Sequence, residues 1–362
     1  MKLKSVITLI VAFLIEVWLV HAQQTPLRGS YIIETLSADI DPQSIAVGPA
    51  GEIYVGSRDR IYRSDDGKTF MAIAGLAHPP EFCCVDPAPP RPTFFSGDGG
   101  PALQAYIDWP NGIIVDSDRT IYFADSFNHR VRRISPNGTI DTVVGNGRKG
   151  FGGDGGPARA AMLYYPAGLA IDKQGNLFIA DMDNNRVRRV DRSGIITTVA
   201  GNGKEGSGGD GRDARKARLR PNGVFVDNAG AIFIADAANG RVRRVEPNGV
   251  VHTIAGRGRR GESGGSGLAV RAQLFGPESL IVDESGNVFF TDILRIRRIS
   301  SDGTISTIGG NGKVEDIASL RGNCKMATDV PIFSKAVAIA PDGRLYINDR
   351  SRLRVLIPKG QK

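Results

Sequence analysis

The chain has 362 residues, of which 46 are Gly and 23% are charged, and its formal net charge is +8. This composition is typical of a turn-rich folded protein and excludes a disordered chain. Only 7% of the residues are aromatic, and they do not interleave with the basic ones, so we do not expect a nucleic-acid partner.

The first 22 residues have the pattern of an export signal. Two lysines precede an apolar stretch, and a small-residue cleavage site ends at Ala22. Glu16 interrupts the apolar stretch, so a membrane-spanning helix is not expected. We therefore predict a cleavable signal peptide over residues 1–22, a secreted or periplasmic location, and one domain over residues 23–362.

One sequence segment recurs, with small changes, along the rest of the chain. PNGIIVDSDRTIYFADSFNHRVRRI begins at Pro110, and close copies begin at Pro166, Pro221 and Pro277. The spacing of about 56 residues indicates a repeated supersecondary unit that buries its apolar faces against its neighbours.

The second copy shows what each unit is. Its apolar residues fall into four short, nearly alternating runs, separated by Asp/Asn/Gly-rich segments at residues 172–176, 181–185 and 191–194. Alternation is typical of half-buried strands, and these residue types favour tight turns. Each unit is therefore predicted to be a four-stranded antiparallel meander, and a series of them indicates the blades of a propeller.

Two degenerate copies complete the count. Residues 42–74 follow the template, and residues 334–357 follow it for three strands only. Residues 31–36 resemble the missing fourth strand, so we predict that they close the ring beside the last blade, which removes an exposed sheet edge. The fold class is an all-β, six-bladed β-propeller. The predicted blades are residues 42–76, 110–147, 166–203, 221–258, 277–312, and 334–357 with 31–36.

The chain has three cysteines, Cys83, Cys84 and Cys324. In an oxidising compartment two of them are expected to form a disulfide bond. The sequence leaves open a bridge from Cys83 or Cys84 to Cys324 and a vicinal bridge. None of the spacings is that of a zinc site.

The segment FADSFNHRVRRI and its parallels IADMDNNRVRRV and IADAANGRVRRV resemble the NHL repeat. The connectors at residues 95–110 and 150–166 resemble those of exported bacterial NHL proteins and of the teneurin NHL propeller. The resemblance covers essentially the whole mature chain. It implies a six-bladed propeller that serves mostly as a binding platform, and it implies no single reaction.

In a propeller the first strand of each blade lines the central channel. The residues that follow the proline of each first strand should therefore ring its entrance. The predicted ligand-binding residues of this ring are Gln43, Asn111, Asn222, Glu278 and Lys335.

Carboxylate and amide oxygens at such a ring are the ligands that Ca²⁺ prefers. The pattern faintly resembles the metal site of regucalcin-type lactonases, but Ala167 supplies no ligand, Lys335 adds a positive charge and an Asp is lacking. We therefore predict no metal and no cofactor, with Ca²⁺ as the alternative.

The Arg-Val-Arg-Arg motif is the most visible charge pattern, and each copy follows an Asp at the end of a second strand. Alternation places Arg132 and Arg133 on opposite faces of their strand. We predict Asp–Arg pairs inside the blades and solvated blade rims, and the alternative is a basic surface for an acidic glycan. The Asp residues are Asp125, Asp181, Asp236 and Asp292.

The connectors GGDGGPARAA and SGDGGPALQA lack the Gly-Lys-Ser/Thr of a phosphate-binding loop. We predict instead that Asp98, Asp154 and Asp210 each cap a single helical turn. Paired alanines are expected to pack that turn onto the blade rim.

Catalytic triads have little support, because His78, His129 and His252 do not come from converging positions. We predict an exported binding or interaction module without intrinsic catalysis, with a protein or an acidic glycan as partner. The alternative is a hydrolase or lyase of the lactonase or strictosidine-synthase-like type that works at the channel mouth.

Overall fold

The structure is a computed structural model that describes residues 31–37, 40–77, 94–261, 263–314 and 325–360. Within these ranges the regular elements are β-strands and 3₁₀ turns, and no helix is long and apolar enough to cross a membrane. The predicted signal peptide and Cys83, Cys84 and Cys324 lie outside the described residues.

Six antiparallel sheets confirm the predicted six-bladed propeller. Strand β1 is Tyr31–Ser37. Blade 1 contains β2 (Ser44–Val47), β3 (Ile53–Gly56), β4 (Ile61–Ser64) and β5 (Met71–Ala74). Blade 2 contains β6 (Pro110–Val115), β7 (Ile121–Asp125), β8 (Arg130–Ile134) and β9 (Ile140–Val144). Blade 3 contains β10 (Pro166–Ile171), β11 (Leu177–Asp181), β12 (Arg186–Val190) and β13 (Ile196–Ala200).

The last three blades each gain a short strand from the connector that enters them. Blade 4 contains β14 (Arg212–Asp213), β15 (Pro221–Val226), β16 (Ile232–Asp236), β17 (Arg241–Val245) and β18 (Val250–Ala255). Blade 5 contains β19 (Ser266–Leu268), β20 (Pro277–Val282), β21 (Val288–Asp292), β22 (Arg295–Ile299) and β23 (Thr304–Gly309). Blade 6 contains β24 (Lys325–Met326), β25 (Val337–Ile339), β26 (Leu345–Asp349) and β27 (Arg352–Pro358), together with β1.

The added strands were not predicted from the sequence. Each connector first crosses the outer edge of the blade it is about to enter, so β14 pairs with β18, β19 with β23 and β24 with β1. In blades 2 and 3 the connector crosses the outer edge in the same way but forms only one isolated β-bridge with it. The bridges are Pro101 with Thr139 and Pro157 with Ile195. The connectors therefore cover the outer edges of these five blades, which an open sheet would expose.

The N-terminal strand closes the ring as predicted. Strand β1 pairs with β27, and Tyr31 lies opposite Pro358. Its Ile33 side chain is fully buried in a cluster that blade 5 and blade 6 share. The last blade also contacts the first, because Asn348 Nδ2 donates a hydrogen bond to the Pro42 carbonyl oxygen at 3.1 Å.

The hydrophobic core is divided among the seams between blades. In the described residues each of the six apolar clusters contains residues of two adjacent blades, and one of them joins blade 6 to blade 1. Full burial of a Leu, Ile or Phe side chain contributes about 1.5–3 kcal/mol. No blade therefore completes its core alone, as the repeat pattern indicates.

The predicted Asp–Arg pairs lie inside the blades. The second arginine of each motif is fully buried, and its blade's Asp lies 2.8–3.6 Å away. The predicted pairs are Arg132–Asp125, Arg188–Asp181, Arg243–Asp236 and Arg297–Asp292, and blade 6 adds Arg354–Asp349, which was not predicted. These arginines therefore contribute no basic surface, whereas Arg133 and its equivalents are partly exposed.

The predicted capping role of the connector aspartates is wrong. The single turns exist as 3₁₀ turns, Ala102–Gln104, Ala158–Ala160 and Ala214–Lys216, and their paired alanines are buried. Asp98, Asp154 and Asp210 instead bind the buried arginines at 2.7–2.8 Å. A buried guanidinium carries more donors than one carboxylate can satisfy, so it takes the connector carboxylate as a second partner.

Candidate functional site

The first strands of all six blades line one central cavity of about 630 Å³. The predicted ring residues Gln43, Asn111, Asn222, Glu278 and Lys335 all line this cavity, and so does Ala167. They occupy the start of each blade's first strand, so they form one end of the cavity. We call this end the mouth and include in it the lining residues Trp109, Tyr165, Arg220, Arg260 and Phe275.

The width of the cavity depends on close contact between neighbouring first strands. Gly112 has φ +51°, and a Cβ at this position would overlap the Ala167 carbonyl oxygen of the next blade. Only glycine combines this left-handed conformation with so close an approach. Blade 5 has Ser279 at the corresponding position, and its Oγ accepts a hydrogen bond from Val337 N at 3.3 Å. The glycine of Pro-x-Gly is therefore a packing requirement in blades 2, 3 and 4, where a Cβ would lie within 2.8 Å of a carbonyl oxygen of the next blade.

The amide side chains of the mouth retain hydrogen-bonding capacity. Gln43 Nε2 donates to Asp41 O and Asn111 Nδ2 donates to Ser126 Oγ, each at 3.2 Å. The Asn222 amide and the Glu278 carboxylate make no hydrogen bond to the part of the chain that the structure describes. These groups are therefore available to a ligand as donors and acceptors.

Glu278 is a titratable residue of the mouth whose pKa is shifted. Burial raises the pKa of its carboxyl, and the positive charge of Lys335 on the next blade opposes this shift. The Lys335 side chain is itself exposed. The carboxyl therefore retains its proton to a higher pH than an exposed glutamic acid does.

Sequence reasoning missed the aromatic residues of the mouth. Trp109 and Tyr165 both directly precede the proline of a first strand, and their φ angles are +61° and +50°. Phe127 packs between them, with ring centroids 5.8 Å from Trp109 and 5.1 Å from Tyr165 in edge-to-face geometry. Phe275 lies on blade 5 and is 38% exposed. Positive φ is uncommon for bulky side chains and is concentrated at functional sites.

The buried Asp–Arg pairs hold the backbone that leads into the mouth. Asp181 Oδ1 accepts a hydrogen bond from Tyr164 N at 2.8 Å, while its Oδ2 lies 3.2 Å from Arg188 Nη1. A second point of the same connector is held by an ion pair, in which Arg188 Nη2 lies 2.7 Å from Asp154 Oδ1. The connectors that enter blades 2, 3 and 4 are each attached to their blade at two points in this way, so the residues at their ends are held by the scaffold.

His129 contacts the chain segment that contains the mouth residue Tyr165. Its Nδ1 accepts a hydrogen bond from Tyr165 N at 3.3 Å, and its ring contacts Tyr164 edge to face. Burial lowers the pKa of His129, so the imidazole stays neutral as this acceptor role requires. His252 lies on the outer strand β18, and His78 lies outside the described residues.

The donor set of the mouth fits Ca²⁺ poorly. Glu278 is the one carboxylate of the predicted ring, and Lys335 places an ammonium group near it. Calcium sites in proteins use six to eight oxygen ligands, commonly several carboxylates. Among the described residues, no three His, Cys, Asp or Glu side chains are grouped as metal ligands.

The closed ring and its central cavity define the chain as a six-bladed β-propeller. The family model of the Teneurin NHL domain matches residues 146–208 and 202–263. Mouse Teneurin-1 is 26% identical over 361 residues, which is 87% of this chain and 12% of that protein. The family model and the teneurin matches support the NHL-repeat β-propeller family that the repeats indicated. The chain spans about an eighth of the length of the teneurin that it matches.

Solved structures with the same architecture include an auxiliary nutrient binding protein from Bacteroides thetaiotaomicron VPI-5482. Its TM-score is 0.62 at 11% identity, covering 92% of this chain and 77% of that one. A streptogramin B lyase has a TM-score of 0.54 at 13% identity, covering 91% and 98%. At these identities the likeness shows the fold alone.

Proposed function

We propose that this chain is an exported binding module that presents the mouth and the surrounding connectors to a protein or glycan ligand, without catalysis of its own. The observation that carries the proposal is the convergence at one cavity of open amide groups and strained, scaffold-held aromatic residues. Large aromatic side chains with polar neighbours are typical of recognition surfaces. The similarity to teneurin NHL domains supports an interaction role.

Export remains part of the proposal. It rests on the signal pattern of residues 1–22, and its test is N-terminal sequencing of the protein recovered outside the cell. Recovery of an intact Met1 terminus from the cell interior would contradict it.

The binding role is tested by affinity capture from the native exterior with matched variants. The mouth variant is Asn222→Ala with Phe275→Ala. The control is Lys173→Ala with Arg192→Ala, in turns at the opposite end of blade 3. We expect the wild type and the control to retain the same partner and the mouth variant to lose it. Equal capture by all three proteins would contradict a role of the mouth.

One observation favours an enzyme as the second candidate. Glu278 combines a raised pKa with an open position in the mouth, which is the combination that a general acid or base requires. A hydrolase or lyase of this kind should turn over a lactone or glycan substrate and lose about 100-fold or more of its rate in Glu278→Gln. If wild type and Glu278→Gln show the same rate across a lactone and uronate-glycan panel, this candidate is excluded for those substrates.

A further inference from the structure

The mouth has two chemically different sides. Trp109 and Tyr165 belong to blades 2 and 3, whereas Phe275, Glu278 and Lys335 belong to blades 5 and 6. In a ring of six blades, blade 2 faces blade 5 and blade 3 faces blade 6. The side with Trp109 and Tyr165, the aromatic side, therefore faces the side with Glu278 and Lys335, the charged side, which also carries Phe275. The amides of Gln43 on blade 1 and Asn222 on blade 4 lie between the two sides, and Asn111 on blade 2 lies on the first side.

The charged side has an excess of open positive charge. Lys335 and Arg260 are both exposed, and neither forms an ion pair with the described residues. Arg220 adds little, because Asp183 at 2.8 Å and Glu205 at 3.6 Å already engage it. Glu278 is the single opposing carboxylate of the predicted ring. A ligand carboxylate is therefore favoured on this side.

The remaining features match a sugar ring. A pyranose has a C–H face that packs on aromatic rings and a rim of hydroxyl groups that both donate and accept hydrogen bonds. The aromatic side supplies the first contact and the side-chain amides supply the second, since each amide has both a donor and an acceptor. A cavity of about 630 Å³ is in the range of small-ligand sites and is too small for a folded domain.

We propose that the mouth binds a uronic-acid-containing saccharide, with the sugar ring against Trp109 and Tyr165 and its carboxylate toward Lys335 and Arg260. This inference rests on the proposed function and names the ligand class of the same site. It distinguishes the mouth from the general basic surface of a chain with net charge +8, because it requires aromatic contact as well as charge.

The test is calorimetric titration of the full chain with trimers of galacturonate, glucuronate and mannuronate, each beside its fully methyl-esterified form. Esterification removes the negative charge and keeps the ring, so the pair isolates the carboxylate. We expect at least one acid trimer to bind about tenfold or more tightly than its ester.

The variants separate the two contacts. Lys335→Gln should weaken acid binding about three- to tenfold and leave the ester unchanged. Trp109→Ala and Tyr165→Ala should each weaken acid and ester together, by about tenfold for Tyr165→Ala. Arg192→Gln removes an exposed charge at the opposite end of blade 3 and should have no effect. Thermal unfolding of each variant identifies any that fails to fold, and Trp109→Ala, at a partly exposed ring, provides a second aromatic test.

Equal affinity for acid and ester would overturn the proposal, because the carboxylate would then make no contact. The same loss in Arg192→Gln as in Lys335→Gln would overturn it in favour of nonspecific polyanion binding. If no trimer binds while the mouth variant still loses a captured protein, the saccharide proposal is wrong and the binding module stands. If no trimer binds and capture is unaffected, both are wrong.

Discussion

Asn348 of the last blade and Pro42 of the first are 306 positions apart in sequence and share a hydrogen bond of 3.1 Å. The Asn348 Oδ1 atom also accepts hydrogen bonds from the backbone N–H groups of Lys335 and Ala336, at 2.8 and 2.7 Å. One buried amide therefore closes the ring and fixes the backbone of a mouth residue at the same time.

The first prediction concerns this amide. Asn348→Ala should lower the free energy of unfolding by about 2–3 kcal/mol, because it leaves buried backbone groups without a partner. Urea denaturation measures the change. The control, Asn248→Ala in an exposed turn, should stay within about 0.5 kcal/mol of wild type. Similar losses in both variants would show that the closing bond has no special role.

The second prediction concerns the buried arginines. Arg188→Met should destabilise the protein by about 3–5 kcal/mol, because Asp181 is then buried without its ion-pair partner. The neighbouring Arg189→Met removes a partly exposed side chain and should cost less than about 1 kcal/mol. Denaturant titration of the two variants gives the comparison. Addition of Asp181→Asn to Arg188→Met should recover part of the loss, and a further loss instead would contradict this explanation.

The third prediction concerns the ring centre. Gly138 and Gly112 both have positive φ, but a Cβ at Gly138 meets no atom within 4 Å, whereas at Gly112 it overlaps the next blade. Gly138→Ala should therefore cost about 1 kcal/mol of backbone strain alone, and Gly112→Ala about 3 kcal/mol or more. Thermal unfolding measures both. Equal costs would show that the first strands can separate without penalty.

The fourth prediction concerns pH. Burial raises the pKa of Asp125 to about 7 and that of Asp181 to about 6, above the ordinary value of 3.8 that we take for the unfolded chain. The folded state then holds protons that the unfolded state releases, so this contribution to stability is present below pH 4 and is lost as the pH rises to 7. Each group contributes a slope of at most about −1.4 kcal/mol per pH unit to the free energy of unfolding.

Denaturant titrations between pH 4 and 7.5 test this slope. Asp125→Asn should flatten it, because the amide cannot lose a proton. Asp141→Asn, at a partly exposed position on the same blade, serves as the control. An unchanged slope in Asp125→Asn would refute the assignment.

The architecture could be predicted because its signals are local. Alternating apolar residues and Asp/Gly turns define each strand pair, and the incomplete last copy indicates that another segment must supply its fourth strand. The two- and three-residue strands β14, β19 and β24 gave no such signal. Their pairing depends on where the connectors pass.

The site could be predicted only in part. The positions after each opening proline give the polar ring, since that proline starts a channel-lining strand. Trp109 and Tyr165 stand one residue earlier, and the sign of their φ angles is a tertiary property. Asp98 was misjudged for a related reason: a carboxylate just ahead of a helical turn suits capping as well as ion pairing. Because the Arg132 guanidinium is buried and needs a charged partner, Asp98 forms the ion pair and does not cap the turn.

The pairing of Tyr31 with Pro358 also has a mechanical consequence. The two ends of the propeller emerge side by side from adjacent antiparallel strands, so opposed forces on them would peel these strands apart one hydrogen bond at a time instead of shearing them. If the ring were tethered through both ends, it should open first at this strand pair under low load, while the five other blades stay folded.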